Sequence, residues 1–223
     1  MAAKDFHPRA SHQPLVLIVP ETGEASPDDW QVRWEQHRQD CQRLDLGMWD
    51  NPHRNTWVNK LNLALYRAER PVLLVAHGIG CLTVAWWAEY ERPSIRGPVI
   101  GALLVAPPDV ERPGGDPRLA KFAATPREPL PFNAFLVASR NDPGCAIRSA
   151  VSLARDWDCR FADAGEAGHF DAGAGLGDWQ LGEQLVEQLL REHRPASAAA
   201  DPIRMPTDAP SRPIPQRPSL RDS

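Results

Sequence analysis

The chain has 223 residues and a formal net charge of −4 at pH 7. That length buries a substantial core and fits one α/β domain. The charge leaves no basic footprint for nucleic acid, and no apolar run reaches the roughly 18 residues that a membrane-spanning helix needs. The start, Met1-Ala2-Ala3-Lys4-Asp5-Phe6-His7-Pro8-Arg9, lacks the apolar centre of a secretory signal. A cytoplasmic protein is expected, with neither nucleic acid nor membrane as partner. Cys41, Cys81, Cys145 and Cys159 show no metal-ligand spacing and read as reduced thiols, so no metal and no cofactor are expected.

Residues 1–13 are polar and aperiodic and read as a flexible N-terminus. Leu15-Val16-Leu17-Ile18-Val19 is a continuous apolar run, the pattern of a strand covered on both faces. A helix is predicted from about Pro27 to Arg38, with Pro27, Asp28 and Asp29 in its first turn. Arg43–Leu46 reads as a short strand. Asn51 or Asn55 can start the next helix, which carries Trp57, Leu61, Leu65 and Tyr66 at helical spacing. A strand over Pro71–Val75 and a helix over Ile79–Tyr90 follow, then strands at Val99–Val105 and Asn133–Ala138. Helix Ala146–Trp157, strand Asp158–Ala162 and helix Asp178–Arg191 close the pattern. Residues 195–223 are rich in proline and poor in large apolar side chains, so they are expected to be disordered. The domain therefore spans residues 14–194. Its alternation predicts a three-layer α/β/α fold around a mostly parallel sheet of about six strands.

In such a sheet ligand groups gather at the carboxyl ends of the strands. Those ends fall at Pro20–Gly23, Ala76–Gly80, Pro107–Asp109, Ser139–Asp142 and Asp163–His169. Val72–Thr83 reads as strand, tight turn and helix start, with Ala76 and Gly80 in the small positions of the small-x-Ser-x-small turn of α/β-hydrolases. Gly78 stands between them, where the serine belongs. Serine-based acyl transfer also needs a histidine to take the proton and a carboxylate to orient it, in the order Ser, Asp or Glu, His. Asp142 and His169 follow in that order at two further strand ends.

These segments together resemble the small serine hydrolases of the YdeN and retinoblastoma-binding protein 9 group, a branch of the α/β-hydrolases. The resemblance runs from about Pro14 to Leu190. Val72–Thr83 is similar to the family's strand-His-Ser-x-Gly-Cys-Leu turn, Gly101–Pro107 to its next strand and loop, and Leu136–Pro143 to its acid loop. Gly168-His169 with Gly175-Leu176-Gly177-Asp178-Trp179 is similar to its histidine loop. The resemblance implies cofactor-free, esterase-like hydrolysis, with Gly78 at the nucleophile position, Asp142 as acid and His169 as base. It puts the oxyanion donors at Thr22 and Ile79. The family's Pro-Gly-x-Gly loop reads Pro20-Glu21-Thr22-Gly23-Glu24 here. Glu21 and Glu24 either face the site, where they disfavour an oxyanion, or point to solvent. Glu21, His77 and Trp30 are candidate pocket residues.

No other group replaces the serine convincingly. Cys81, one turn into the helix, reads as a small buried residue, Ser139 lies on the wrong side of the expected histidine, and Glu21 has only the chemistry of a carboxylate toward water. Glycine at 78 removes the covalent acyl-enzyme and relieves the strain of the turn. Three readings stay open: a pseudohydrolase that binds a ligand or partner, a hydrolase of an unknown small-molecule ester or amide in which Gly78 is engineered or compensated, and an adaptor that binds a protein partner through its Pro-rich tail.

Overall fold

The computed structural model describes residues 13–23, 26–95 and 97–193. The expectations for the N-terminal dozen residues, for Glu24 and for the Pro-rich tail lie outside the described residues. Six strands form one sheet in the order β2-β1-β3-β4-β5-β6: β1 Leu15–Val19, β2 Cys41–Arg43, β3 Val72–His77, β4 Val99–Val105, β5 Ala134–Ala138 and β6 Arg160–Asp163. Every adjacent pair is parallel. Five helices connect or flank them: α1 Trp30–His37, α2 Arg54–Tyr66, α3 Ile79–Glu91, α4 Ile147–Asp156 and α5 Gln180–His193. This is the α/β/α sandwich expected from the alternation, with the sheet wholly parallel. No described helix is long and apolar enough to cross a membrane.

The central strands are apolar on both faces because each face carries its own core. On one side, Leu17, Leu74 and Leu104 pack with Trp57, Leu61, Leu82 and Trp157 of the helix layer. On the other, Ile18, Val75 and Val105 pack with Trp30, Trp34, Trp179 and Val186. Trp30, Trp34, Trp57 and Trp87 are buried packing residues, and Trp49 is partly buried against the first of these cores. Trp87 is buried, whereas its neighbour Trp86 lies at the surface layer, where its indole N–H donates to the Phe122 carbonyl (2.9 Å) and the Arg54 guanidinium sits 4.2 Å above its ring.

Three local expectations are corrected. The second strand is Cys41–Arg43 and not Arg43–Leu46: its ladder pairs Val16 with Cys41 through Ile18 with Arg43, while Leu46 is buried from an irregular segment. Apolarity marked burial there, but the backbone ladder made the strand. Helix α1 begins at Trp30, because the Asp29 carboxylate accepts from the Gln31 amide (2.9 Å) and caps it, leaving Pro27 outside. Neither Asn51 nor Asn55 caps α2; His53 stands at its N-cap without a side-chain cap bond. A 3₁₀ turn at Pro117–Phe122, capped by Asp116, had no periodic signature, yet it sets Phe122 against Trp57 at 5.9 Å between ring centroids.

Candidate functional site

Because all strands run one way, the loops after β1, β3, β5 and β6 open on one edge of the sheet. Four of the five predicted strand-end loops contribute side chains to one cluster there. The chain leaves β3 at His77, turns at Gly78 and enters α3 at Ile79. Gly78 has φ 53° and ψ −125°, a backbone state that a residue with a side chain adopts only under strain. Two hydrogen bonds hold it: its N–H donates to the Val105 carbonyl (2.9 Å) and its carbonyl accepts from the Cys81 amide (3.0 Å). A Cβ at Gly80 would run into the Val19 carbonyl oxygen, so β1 and the turn touch through backbone alone.

That close approach delivers Glu21 to the turn. A Cβ built on Gly78 would lie 2.6 Å from both Cδ and Oε1 of Glu21 and 2.9 Å from its Cγ. The Glu21 carboxylate thus fills the space above the glycine. Its Oε1 lies 2.9 Å from His169 Nε2. On the other side of the ring, His169 Nδ1 lies 2.8 Å from Asp142 Oδ1, and Asp142 is almost fully buried. Asp142 Oδ1 also accepts from the Gly144 amide (2.6 Å), and a Cβ at Gly144 would sit 3.1 Å from both that oxygen and His169 Cε1.

A carboxylate only accepts hydrogen bonds, so an imidazole bonded to one at each nitrogen carries both protons. Burial pulls the His169 pKa down, but the hydrogen bonds to Asp142 and Glu21 and the charges of both outweigh it and push the pKa up to about 10. Burial likewise raises Glu21, and the bond to His169 with the charge of that ring outweighs this, leaving its pKa below the usual carboxylate range. The centre is a carboxylate–imidazolium–carboxylate row.

His77 packs beside it, with ring centroids 5.4 Å apart. Its Nε2–H donates to the His169 carbonyl (2.8 Å), which leaves Nδ1 as acceptor for the Gln31 side-chain amide (3.0 Å) and 3.8 Å from Glu21 Oε2. The histidine loop is tied down from both ends. The Ser139 hydroxyl oxygen accepts from the Ala167 amide (2.9 Å), Asn141 Oδ1 accepts from the Gly168 amide (2.8 Å), and the Trp30 indole N–H donates to the Phe170 carbonyl (3.0 Å).

Glu21, His77, Gly78, Asp142 and His169 therefore meet, and Glu21 faces the site. Trp30 does not line the pocket. It is buried behind His77, edge-on at 6.0 Å, because α1 carries it inward with Trp34 and Trp179. Thr22 borders a hollow of about 300 Å³ that Glu21, His77, Asp29, Gln31 and Asp171 also line. Ile79 is buried at the first position of α3, where a helix leaves backbone N–H groups without intrahelical partners. Cys81 is sealed in the core with its thiol donating to the Ala76 and Val105 carbonyls (3.4 and 3.3 Å), and burial pushes its pKa well up. Gln31 and Gly144 escaped the sequence reading. The Asp142-Pro143-Gly144 turn was a visible signal for the second; nothing local marked Gln31, whose partner is 46 residues away.

A wholly parallel sheet with helices on both faces and a strand–turn–helix at its carboxyl edge is the architecture of an α/β-hydrolase. The model of the serine hydrolase family matches residues 16–188, and the chain belongs to that family. Among solved structures, a YdeN-like hydrolase from Pectobacterium atrosepticum is 27% identical, with a TM-score of 0.72 over 83% of this chain and 95% of that one. The ydeN gene product of B. subtilis superposes with a TM-score of 0.65 at 17% identity, over 80% of this chain and 100% of that one. Est1E from Butyrivibrio proteoclasticus does so with 0.59 at 12%, over 83% and 90% respectively, a likeness of fold alone. A search of the curated proteins finds no match.

Proposed function

We propose that this member of the serine hydrolase family is a pseudohydrolase, and that its strand-end pocket binds a ligand instead of forming an acyl-enzyme. The observation that carries the reading is the Glu21 carboxylate, 2.9 Å from His169 Nε2 and filling the space over Gly78. The serine route needs a hydroxyl at that turn and a histidine with a free lone pair to take its proton. Gly78 offers no hydroxyl, and His169, held between Glu21 and Asp142, has no lone pair to give. The two departures complete each other: the vacated volume takes the carboxylate, and the carboxylate fixes the histidine as a cation. A second reading, hydrolysis with Gly78 as a lone engineered change, leaves Glu21 unexplained. The free state of all four cysteines supports a cytoplasmic setting.

A fluorophosphonate probe tests the proposal. The native chain is expected to stay unlabelled. Gly78→Ser alone is expected to stay unlabelled too, because its side chain meets Glu21, whereas Glu21→Ala with Gly78→Ser is expected to label. Labelling of the native chain, blocked by substituting His169, would overturn the reading.

A further inference from the structure

We propose that Glu21, His77 and His169 form a three-ligand site for a divalent transition-metal ion, Zn²⁺ by ligand chemistry. One ligand atom from each lies within 4.8 Å of the other two. Zinc bonds of about 2.0–2.1 Å at tetrahedral angles set ligand atoms roughly 3.3 Å apart. Glu21 Oε1 and His169 Nε2, now 2.9 Å apart, have to open by roughly 0.4 Å, and Glu21 Oε2 and His77 Nδ1, now 3.8 Å apart, have to close by roughly 0.5 Å. The ligand nitrogens of His77 and His169, within 4.8 Å of each other, have to close by up to roughly 1.5 Å as well.

The outer shell argues for the site more strongly than the distances do. A metal-bound imidazole donates its other N–H to a carboxylate or a backbone carbonyl. Both histidines have that partner in place: His169 Nδ1 faces the Asp142 carboxylate at 2.8 Å, and His77 Nε2–H donates to the His169 carbonyl at 2.8 Å. Each ring therefore turns its remaining nitrogen toward Glu21. Gln31 has to release His77 Nδ1, and its own Oε1 is buried without a hydrogen-bond partner, an acceptor of the kind a metal-bound water satisfies. Charge fits as well. Two carboxylates, Glu21 and Asp142, flank the His169 ring, and a dication at the cluster balances the charge of both. With no side chain at Gly78, the Glu21 carboxylate can reach both rings, and the hollow beside the cluster, bordered by Asp29 and Asp171, gives a fourth ligand room. Two imidazoles and one carboxylate suit zinc, cobalt or nickel rather than magnesium or calcium.

The proposal rests on the reading that the pocket binds rather than acylates, and its test is separate from probe labelling. Full-length protein is stripped with a chelator, dialysed and titrated with ZnCl₂ or MgCl₂. One Zn²⁺ per chain is expected, with a rise in the unfolding midpoint on the order of 5 °C at zinc well above Kd and no rise with MgCl₂. Glu21→Gln and His169→Asn are each expected to weaken zinc binding by roughly tenfold or more, while His37→Asn, an exposed histidine elsewhere, leaves it unchanged. Co²⁺ added to the unmutated protein is expected to give the visible absorption of a four-coordinate site, discharged by one equivalent of Zn²⁺. That readout does not depend on how the variants fold. No zinc uptake by the native chain, or uptake unchanged in both Glu21→Gln and His169→Asn, would overturn the proposal.

Discussion

Gly78 and Glu21 occupy one volume, so their substitutions should be strongly non-additive. A serine at 78 keeps the backbone at φ 53° and costs about 1–3 kcal/mol in strain. Its Cβ also falls 2.6 Å from Glu21 Cδ and Oε1, which forces the carboxylate off His169. Breaking one partner of a buried ion pair costs about 3–5 kcal/mol; Glu21 retains 22% of its side-chain exposure, which brings the figure down to about 2–3 kcal/mol. Gly78→Ser alone is then expected to destabilise by about 3–6 kcal/mol and Glu21→Ala alone by about 2–3 kcal/mol. In the double variant the ion pair is lost only once. Its total cost should stay at about 3–6 kcal/mol, a coupling of about 2–3 kcal/mol against the ~0.5 kcal/mol expected of independent sites. Urea denaturation of the four proteins at pH 7 measures the cycle. Additivity within ~0.5 kcal/mol would mean that Glu21 does not fill the space over Gly78, and the account of the site would fall with it.

The ion-pair row also makes stability depend on pH. His169 has its pKa raised from 6.5 to about 10, so its contribution is complete below pH 6.5 and is lost as pH rises through 10; the slope is about 1.4 kcal/mol per pH unit at most. Glu21 has its pKa lowered from 4.5, so its contribution is present above pH 4.5 and is lost on acidification. Denaturation midpoints across pH 5 to 10 should therefore decline on the alkaline side, and Glu21→Gln should flatten that decline; an NMR titration of the His169 ring checks the assignment directly. Gly144→Ala puts a methyl 3.1 Å from Asp142 Oδ1 and His169 Cε1. It should cost about 1–2 kcal/mol and lower the His169 pKa, and an unchanged His169 titration would show that Asp142 does not depend on that close approach.

The sequence by itself determined the layers of this protein and the address of its site. Apolar runs such as Leu15–Val19 and Val99–Val105 specify buried strands, because a strand covered on both faces has no polar position to spare. Alternation with helices makes the sheet parallel, and parallel strands bring Glu21, Gly78, Asp142 and His169 to one edge whatever the details of packing. Short-range detail was less legible: Asp29, expected inside the first turn of α1, caps it instead, and the second strand is Cys41–Arg43 because apolarity reports burial and not the ladder. Only the tertiary structure decided which way Glu21 points. Its direction follows from Val19 passing so close to Gly80 that the β1 loop is laid across the turn at Gly78, a contact between residues about 60 positions apart that no local pattern encodes. The same holds for Gln31 on His77 and for the His77 ring aimed at Glu21. These depend on how α1 and the histidine loop close over the sheet edge, and there the chain's chemistry is set by angles and tenths of an ångström rather than by residue type.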